Sequence, residues 1–237
     1  MRGASRAAEI ADRVTEAIHL GLLADGERLP PEAEFAHSLG VAPMTLRESF
    51  AFLRERGLVE TRRGRNGGTF VRRNLEPPAE PDAARLRSMS VGALRDLADE
   101  QIAISATTAR LAAERATAHD VRRIEMLAGQ LAVATTRGAL IKSDSRFHVE
   151  IAIATRSERL LRREVALQAE SAGMLWLPGP GAETVGAAAA EHLRIAEAIR
   201  AESGEAAHAA AIHHARENLR RLAATRQELV EAEGSPA

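Results

Sequence analysis

The chain has 237 residues, of which 45% are hydrophobic and only 3% are aromatic, so it can form one large domain or two modest ones. It contains no cysteine, which excludes disulfides and thiolate metal sites and leaves imidazole and carboxylate groups to hold any metal. We find no charged leader before an apolar stretch and no apolar run long enough to span a bilayer, so we expect a cytoplasmic protein without a membrane partner.

The net charge of -1 hides a local excess of positive charge. Residues 1–75 carry 12 Arg and 10 acidic residues, whereas the rest of the chain carries 20 Lys or Arg and 23 acidic residues. Between residues 45 and 73 there are 8 Arg and only 3 Glu. Such a basic stretch favours contact with nucleic acid, and the alternative is a solvated charged face.

Residues 1–75 are predicted to form three helices and a hairpin. Apolar spacing predicts helices over about 6–20, 31–40 and 43–56. Two short strands, 58–62 and 69–72, flank a turn whose glycines suit a tight hairpin. This order predicts a winged helix-turn-helix that binds DNA, with a protein-interaction module as the alternative.

The first turn of the second helix in a helix-turn-helix is the part that reaches base edges. Here it carries Thr45 and Arg47, which can bind phosphates, and Met44, which can touch a thymine methyl. The wing is predicted to contact phosphates or enter the minor groove. Its candidate residues are Arg62, Arg63, Arg65, Asn66 and Gly67.

The rest of the chain is predicted to be helical after a linker. Pro77, Pro78 and Pro81 predict a stiff, non-helical linker over 76–89. Helices are then predicted at about 91–116, 119–136, 139–155, 158–176, 185–202 and 205–232, with Ser90 as an N-cap and breaks near Gly138, Ser157, 178–181 and 203–204. The predicted fold class is therefore mainly α, with a winged helix followed by an all-α bundle over 90–237.

Four polar side chains in the helical part can converge. Asp144 and His148 lie four residues apart, so both point from one face of a helix. His192 and the His213–His214 pair belong to later helices. One carboxylate and three imidazoles can hold a metal and leave positions open to a ligand, whereas the alternative is that they are ordinary satisfied polar residues.

Several separated motifs resemble the N-terminal domain of GntR-family regulators. They are the stretches 29–32 (LPPE), 39–41 (LGV), 45–48 (TLRE) and 67–71 (GGTFV). Ala33 and Pro43 depart from the family, which often places Arg there. We therefore expect the docking mode to be shared, with base readout resting more on the wing and on DNA shape than in relatives.

The region from about 90 to 230 resembles the FCD domain of one GntR subgroup. Residues 144–148 match Asp-x-x-Phe-His, residues 192–199 match His-x-x-Ile-x-x-Ala-Ile, and His214 matches the later histidine. The resemblance implies a homodimeric regulator, more often a repressor, that binds an inverted-repeat operator and senses a small organic acid. It also implies a divalent metal on Asp144, His148, His192 and His214, for which the ligand chemistry favours Zn, Ni or Mn.

Some positions leave alternatives open. His213 competes for the fourth ligand position, with His208 a weaker choice. Subgroup members commonly carry an Arg and a Glu where this chain has Gln101 and Ser105, so Arg110 or Arg146 is a candidate replacement for the missing guanidinium in the effector pocket.

We expect that the protein is not an enzyme, but two alternative hypotheses for the helical part remain. A metallohydrolase would need a general base beside the metal, and Glu150 and Glu191 are near in sequence. A dimerisation scaffold would need no ligand.

Overall fold

The computed structural model describes residues 5–72, 76–177 and 181–234. The chain divides into two compact units, residues 1–76 and 77–237. The predicted turn at 178–181 lies almost wholly outside the described residues.

The first unit begins with three helices, α1 (Arg6–His19), α2 (Glu32–Ser38) and α3 (Pro43–Glu55). Their ends are followed by Gly21, Gly40 and Gly57, each with a positive φ that favours glycine and stops a helix. The predicted ends are therefore confirmed. The apolar faces of the helices form one core whose members include Ile10, Val14, Ile18, Leu46, Phe50 and Leu53.

A β-hairpin completes the winged helix. Strands β1 (Val59–Arg62) and β2 (Gly68–Val71) pair antiparallel, with Val59 opposite Val71. The other edge of β2 is also held, because Leu29 donates its amide to the Thr69 carbonyl over 2.8 Å. In the turn, a Cβ added to Gly67 would lie 2.5 Å from the Arg62 carbonyl oxygen, so only glycine fits there.

The second unit is helical throughout its regular structure. Its helices are α4 (Glu80–Ser88), α5 (Val91–Gln101), α6 (Thr107–Arg115), α7 (Ala118–Gln130), α8 (Arg137–Ala154), α9 (Glu158–Leu175), α10 (Ala182–Arg200) and α11 (Gly204–Gly234). A π-helical turn, Ile102–Ala106, joins α5 to α6, and a 3-10 turn, Leu131–Val133, follows α7. The core between α6, α7, α8, α10 and α11 is rich in small side chains such as Ala109 and Ala112, which suits a sequence with few aromatic residues.

The prediction of a non-helical linker over 76–89 was wrong from Glu80 onward, where α4 begins. Pro81 lies in the first turn of α4, where a missing amide proton costs nothing, and Leu86 is fully buried. The preceding segment is anchored as well, because Arg137 at the start of α8 donates to the Pro77 carbonyl over 2.8 Å. Residues 77–88 thus belong to the helical unit.

Among the helices that the structure describes, none is long and apolar enough to cross a bilayer.

Candidate functional site

The predicted DNA-contacting residues of α3 lie at the start of that helix. Leu46 is fully buried and fixes α3 to the core, while Met44 is 62% exposed and Arg47 is also exposed. Thr45 is half-buried. The Arg47 Nε donates to Glu32 Oε2 on α2 over 2.8 Å in an exposed ion pair, which is worth little and can open when a phosphate approaches.

The wing presents a second group of exposed cations. Arg62 lies 4.5 Å from the centre of the Phe70 ring and pairs with Glu60 over 2.6 Å, so it is held against the hairpin. Arg63, Arg65 and Asn66 are exposed in the turn, and Gly67 is half-buried beside them. The helix start and the wing are the two surfaces through which a winged helix contacts DNA.

The helical unit brings Asp144, His148, His192 and His214 together. The first two lie on α8, and the others come from α10 and α11. One ligand atom from each lies within 4.8 Å of the others, and all four side chains are buried. His148 Nε2 is 3.2 Å from His214 Nε2, and His192 Nε2 is 3.2 Å from Asp144 Oδ1. We refer to these four residues as the Asp–His cluster.

The polar atoms of the Asp–His cluster fit a metal ion. Asp144 Oδ2 and both ring nitrogens of His192 are buried without a hydrogen-bond partner among the described residues. Such groups nearly always have a partner in folded proteins, so the unpaired carboxylate oxygen and one imidazole nitrogen here could bind a cation. Three nitrogens and one oxygen are the ligand types that Zn, Ni and Mn accept.

The protonation states in the cluster also suit a metal, which requires neutral imidazole and ionised carboxylate. Burial lowers the pKa of His148 well below its usual value and lowers that of His192, with Asp144 partly offsetting both shifts. Burial would raise the pKa of Asp144, but the approach of His192 and the other imidazoles outweighs it and holds that pKa below its usual value.

Two neighbours fix the orientation of His214. A carboxylate can only accept, so His214 donates from Nδ1 to Glu191 Oε2 over 2.7 Å. Arg221 donates to the other Glu191 oxygen over 2.5 Å and to Asn218 Oδ1 over 2.7 Å. The Asn218 amide nitrogen then faces His214 Nε2 and donates to it over 3.0 Å, so this ring nitrogen carries no proton.

The competing histidines lie elsewhere. His213 is exposed and His208 is half-buried, whereas His214 is only 2% exposed. One residue turns a side chain about 100° around a helix, which is why neighbours on α11 face opposite environments.

A narrow cavity of about 10 Å³ adjoins the Asp–His cluster, enough for about one water. Its polar lining comes from Gln101, Ser105, Thr108, His148, Glu164 and His214. Glu164, on α9, was missed by sequence reasoning because its partner Ser105 is 59 residues away and no motif marks the pair. The π-helical turn that carries Ser105 was missed for the same reason, although such turns often occur at functional sites.

Of the three predicted effector-pocket residues, one lines the cavity and two do not. Gln101 is 5% exposed and lines the cavity. Arg110 is exposed and pairs with Glu114 over 3.3 Å, so it lies on the surface rather than in the cavity. Arg146 is half-buried and is not among the lining residues.

The two carboxylates considered as a general base are both engaged. Glu150 pairs with Arg123 over 2.8 Å, and Glu191 binds His214 and Arg221. A catalytic base must be able to take a proton from substrate or water, and these contacts already occupy both carboxylates.

Two protein-family models match the chain. The model described as "Bacterial regulatory proteins, gntR family" matches residues 6–71, and the model described as "FCD domain" matches residues 96–217, about half of the chain. The first covers the winged helix, and the second contains all four residues of the Asp–His cluster.

Relatives and solved structures agree. The "Putative HTH-type transcriptional regulator RmpR" of Mycobacterium gastri is 44% identical over 234 residues, which are 98% of this chain and 85% of that protein. The "Uxu operon transcriptional regulator" of Escherichia coli is 33% identical over 57% of this chain and 53% of its own. The structure of McbR/YncC from E. coli shares the fold, with a TM-score of 0.56 at 15% identity over 93% of this chain and 98% of that one. The chain belongs to the GntR family of bacterial regulators, with a C-terminal FCD domain, and is a DNA-binding transcriptional regulator rather than an enzyme.

Proposed function

We propose that this regulator is a homodimeric repressor that binds an inverted-repeat operator and responds to a small organic acid through a divalent transition metal. The observation that carries the sensing part is the buried Asp–His cluster with a narrow cavity beside it. Asp144, His148, His192 and His214 would hold the metal, and a bound metal would offer open coordination positions to a carboxylate oxygen.

The operator symmetry follows from the proposed dimer. Two copies related by a two-fold axis present two winged helices, so their half-sites form an inverted repeat. The two winged helices can have different relative placements, and a ligand can bind one placement more tightly than another. This difference in ligand affinity sets how far the ligand can change the affinity for DNA.

Elemental analysis of protein purified without a metal-affinity tag tests the metal site. We expect about one Zn, Ni or Mn per chain in the wild type and its loss in His214→Ala. His213→Ala is the matched control, because that neighbouring histidine is exposed and lies outside the cluster. A wild type that binds no metal and shows no thermal shift with small acids would instead favour a dimerisation scaffold without a ligand.

Selection from a library of random duplexes tests the DNA-binding part. The enriched sequences should form an inverted repeat, and Arg47→Ala should weaken binding to all of them. Because Arg47 is proposed to neutralise a phosphate, its loss should lower the slope of log affinity against log salt by about 1 per subunit. Arg13→Ala on α1 removes the same charge from an exposed position outside α3 and the wing, and should change neither quantity.

A third variant separates the wing from α3. Arg65→Ala should change which operator sequences are preferred, because base readout is proposed to rest on the wing and on DNA shape. An unchanged preference in Arg65→Ala, with a changed one in Arg47→Ala, would assign readout to α3 instead.

Reporter expression under the selected operator tests repression. Expression should fall when the regulator is present and recover when an organic acid that shifts its melting temperature is added. Expression that rises with the regulator would identify an activator.

A further inference from the structure

The cavity beside the Asp–His cluster is lined by a carboxyl group whose hydrogen-bond partners among the described residues are uncharged. Glu164 is 1% exposed and lines the cavity from α9. It accepts hydrogen bonds from Ser105 Oγ over 3.0 Å and from Gln168 Nε2 over 3.0 Å. Both partners are uncharged, so they orient the carboxylate without cancelling its charge.

The surroundings of Glu164 show the same absence of positive charge. Among the described residues that line the cavity there is no Arg or Lys. Burial raises the pKa of Glu164 to about 7, despite the two hydrogen bonds, and the charge of Asp144 adds to the shift. A buried carboxylate in this setting is stabilised by any group that donates a hydrogen bond to it and destabilised by a second negative charge.

A second polar side chain lines the cavity. Gln101 lines the cavity and is 5% exposed. A primary amide both donates and accepts, so it can pair with a hydroxyl group. Gln101 and Glu164 thus offer a neutral and an acidic partner in one cavity.

Resting on the proposed function, we infer that Glu164 is a specificity-determining residue that accepts a hydrogen bond from a hydroxyl group of the effector and rejects a second carboxylate. The effector is then a compact hydroxy acid, whose carboxylate lies at the Asp–His cluster and whose hydroxyl lies at Glu164. A diacid of the same length would place two buried carboxylates side by side.

Because the cavity is small, we choose small organic acids as the ligands for the binding test. It has room for about one water, so small ligands disturb the surrounding helices least. Two matched pairs differ only in whether one end is a hydroxyl or a carboxylate group: glycolate against oxalate, and 3-hydroxypropionate against malonate. Their affinities are measured by calorimetry with the full-length protein loaded with Zn, with the metal content checked before each titration.

In the wild type at pH 8, each hydroxy acid should bind at least about tenfold more tightly than the diacid of equal length. Glu164→Gln should reduce this preference at least about tenfold while leaving the metal content unchanged. Glu170→Gln, an exposed position on the same helix that pairs with Arg85, is the matched control and should keep the wild-type preference.

Three results would overturn the inference. They are a wild-type preference for the diacids, an equal preference in wild type and Glu164→Gln at equal metal content, and no binding of any probe by the metal-loaded wild type. Failure of the proposed metal site is a separate result, because it shows as absent metal before any probe is added. Melting curves of Glu164→Gln distinguish a changed preference from a misfolded chain.

Discussion

At the scale of single residues, the clearest arrangement is the chain of contacts that ends at His214. Arg221 neutralises Glu191, Glu191 accepts from His214 Nδ1, and the opposite ring nitrogen faces the Asp–His cluster. Histidines that ligate metals are usually held in this way by a carboxylate or carbonyl, which fixes the tautomer and makes the ligand more basic. Glu191 is therefore a positioning residue for the proposed metal site.

Glu191→Gln should weaken metal binding by about 10- to 100-fold, because the amide orients the His214 ring less strongly than the carboxylate does. Competition with a chromophoric chelator measures this affinity. Glu197→Gln is the control on the same helix, since that carboxylate is exposed and pairs with Arg200. Equal affinities in Glu191→Gln and the wild type would show that His214 is oriented by Asn218 alone.

Glu164 also makes stability depend on pH in the metal-free protein. Its pKa rises from an ordinary 4.5 to about 7 on folding, so between these values the folded chain binds more protons than the unfolded chain. The stabilisation that Glu164 gains from binding this proton is fully present below about pH 4.5 and is lost as the pH rises through about 7. It contributes on the order of 3 kcal/mol to the free energy of unfolding.

Urea unfolding at pH 5 and pH 8 measures this contribution. Glu164→Gln should be more stable than the wild type at pH 8 by up to about 3 kcal/mol, with a much smaller difference at pH 5. Comparing the two proteins at each pH removes the contributions of His148 and His192, whose lowered pKa values act in the opposite direction. A difference that does not depend on pH would show that Glu164 does not titrate in this range.

At the scale of elements, the packing of α4 against α9 depends on the close approach of Asp82 to Gly173. A Cβ added to Gly173 on α9 would lie 2.3 Å from Asp82 Oδ2, and Asp82 in turn pairs with Arg137. The Gly173 carbonyl also accepts from Arg137 over 2.8 Å. Glycine at this position lets α4, α8 and α9 share one guanidinium.

Gly173→Ala should destabilise the protein by about 1–3 kcal/mol, because the added methyl group displaces Asp82 from Arg137. Gly129→Ala is the matched control: it also lies inside a helix, and an added Cβ there meets no atom within 4 Å. That control should be neutral or stabilising by up to about 1 kcal/mol. Chemical denaturation gives both values, and equal stabilities in the two variants would mean that Asp82 can move aside freely.

The elements also show what sequence reasoning could reach. The three helices and the hairpin of the first unit were predicted closely because Gly21, Gly40 and Gly57 end helices through their own backbone preference. Ser90 was predicted as an N-cap, and its hydroxyl accepts from the Ala93 amide over 3.0 Å. Helix α4 was missed because a proline can either fit the first turn of a helix or break a helix. The sequence alone did not show which applies to Pro81.

The candidate site was predictable to a similar depth. Asp144 and His148 share a helix face by spacing alone, and the family resemblance selected His192 and His214 to join them. Glu164 could not be found, because it reaches the cavity through the packing of α9 against the π-helical turn rather than through any local pattern. Asn218 follows His214 by four residues, which is a signal that spacing alone could have given.

At the scale of the whole molecule, the protein combines a DNA-binding unit with a helical unit that contains the candidate sensor. The winged helix has its own core, and the helical unit has others of its own. The proposed coupling between them must be reciprocal. If the effector changes the affinity for operator DNA by some factor, then operator DNA changes the affinity for the effector by the same factor.

The anchoring of the segment before α4 decides where this regulator can be recombined with others. A chimera that takes only residues 90–237 would lose Leu86 from the apolar core and leave the half-buried Arg137 without Asp82 and the Pro77 carbonyl. A junction at residue 76 would keep all three. We expect the shorter chimera to melt at a clearly lower temperature than the one joined at 76, and equal melting temperatures would show that α4 is dispensable. The transferable sensor module thus starts a whole helix earlier than its prolines suggest.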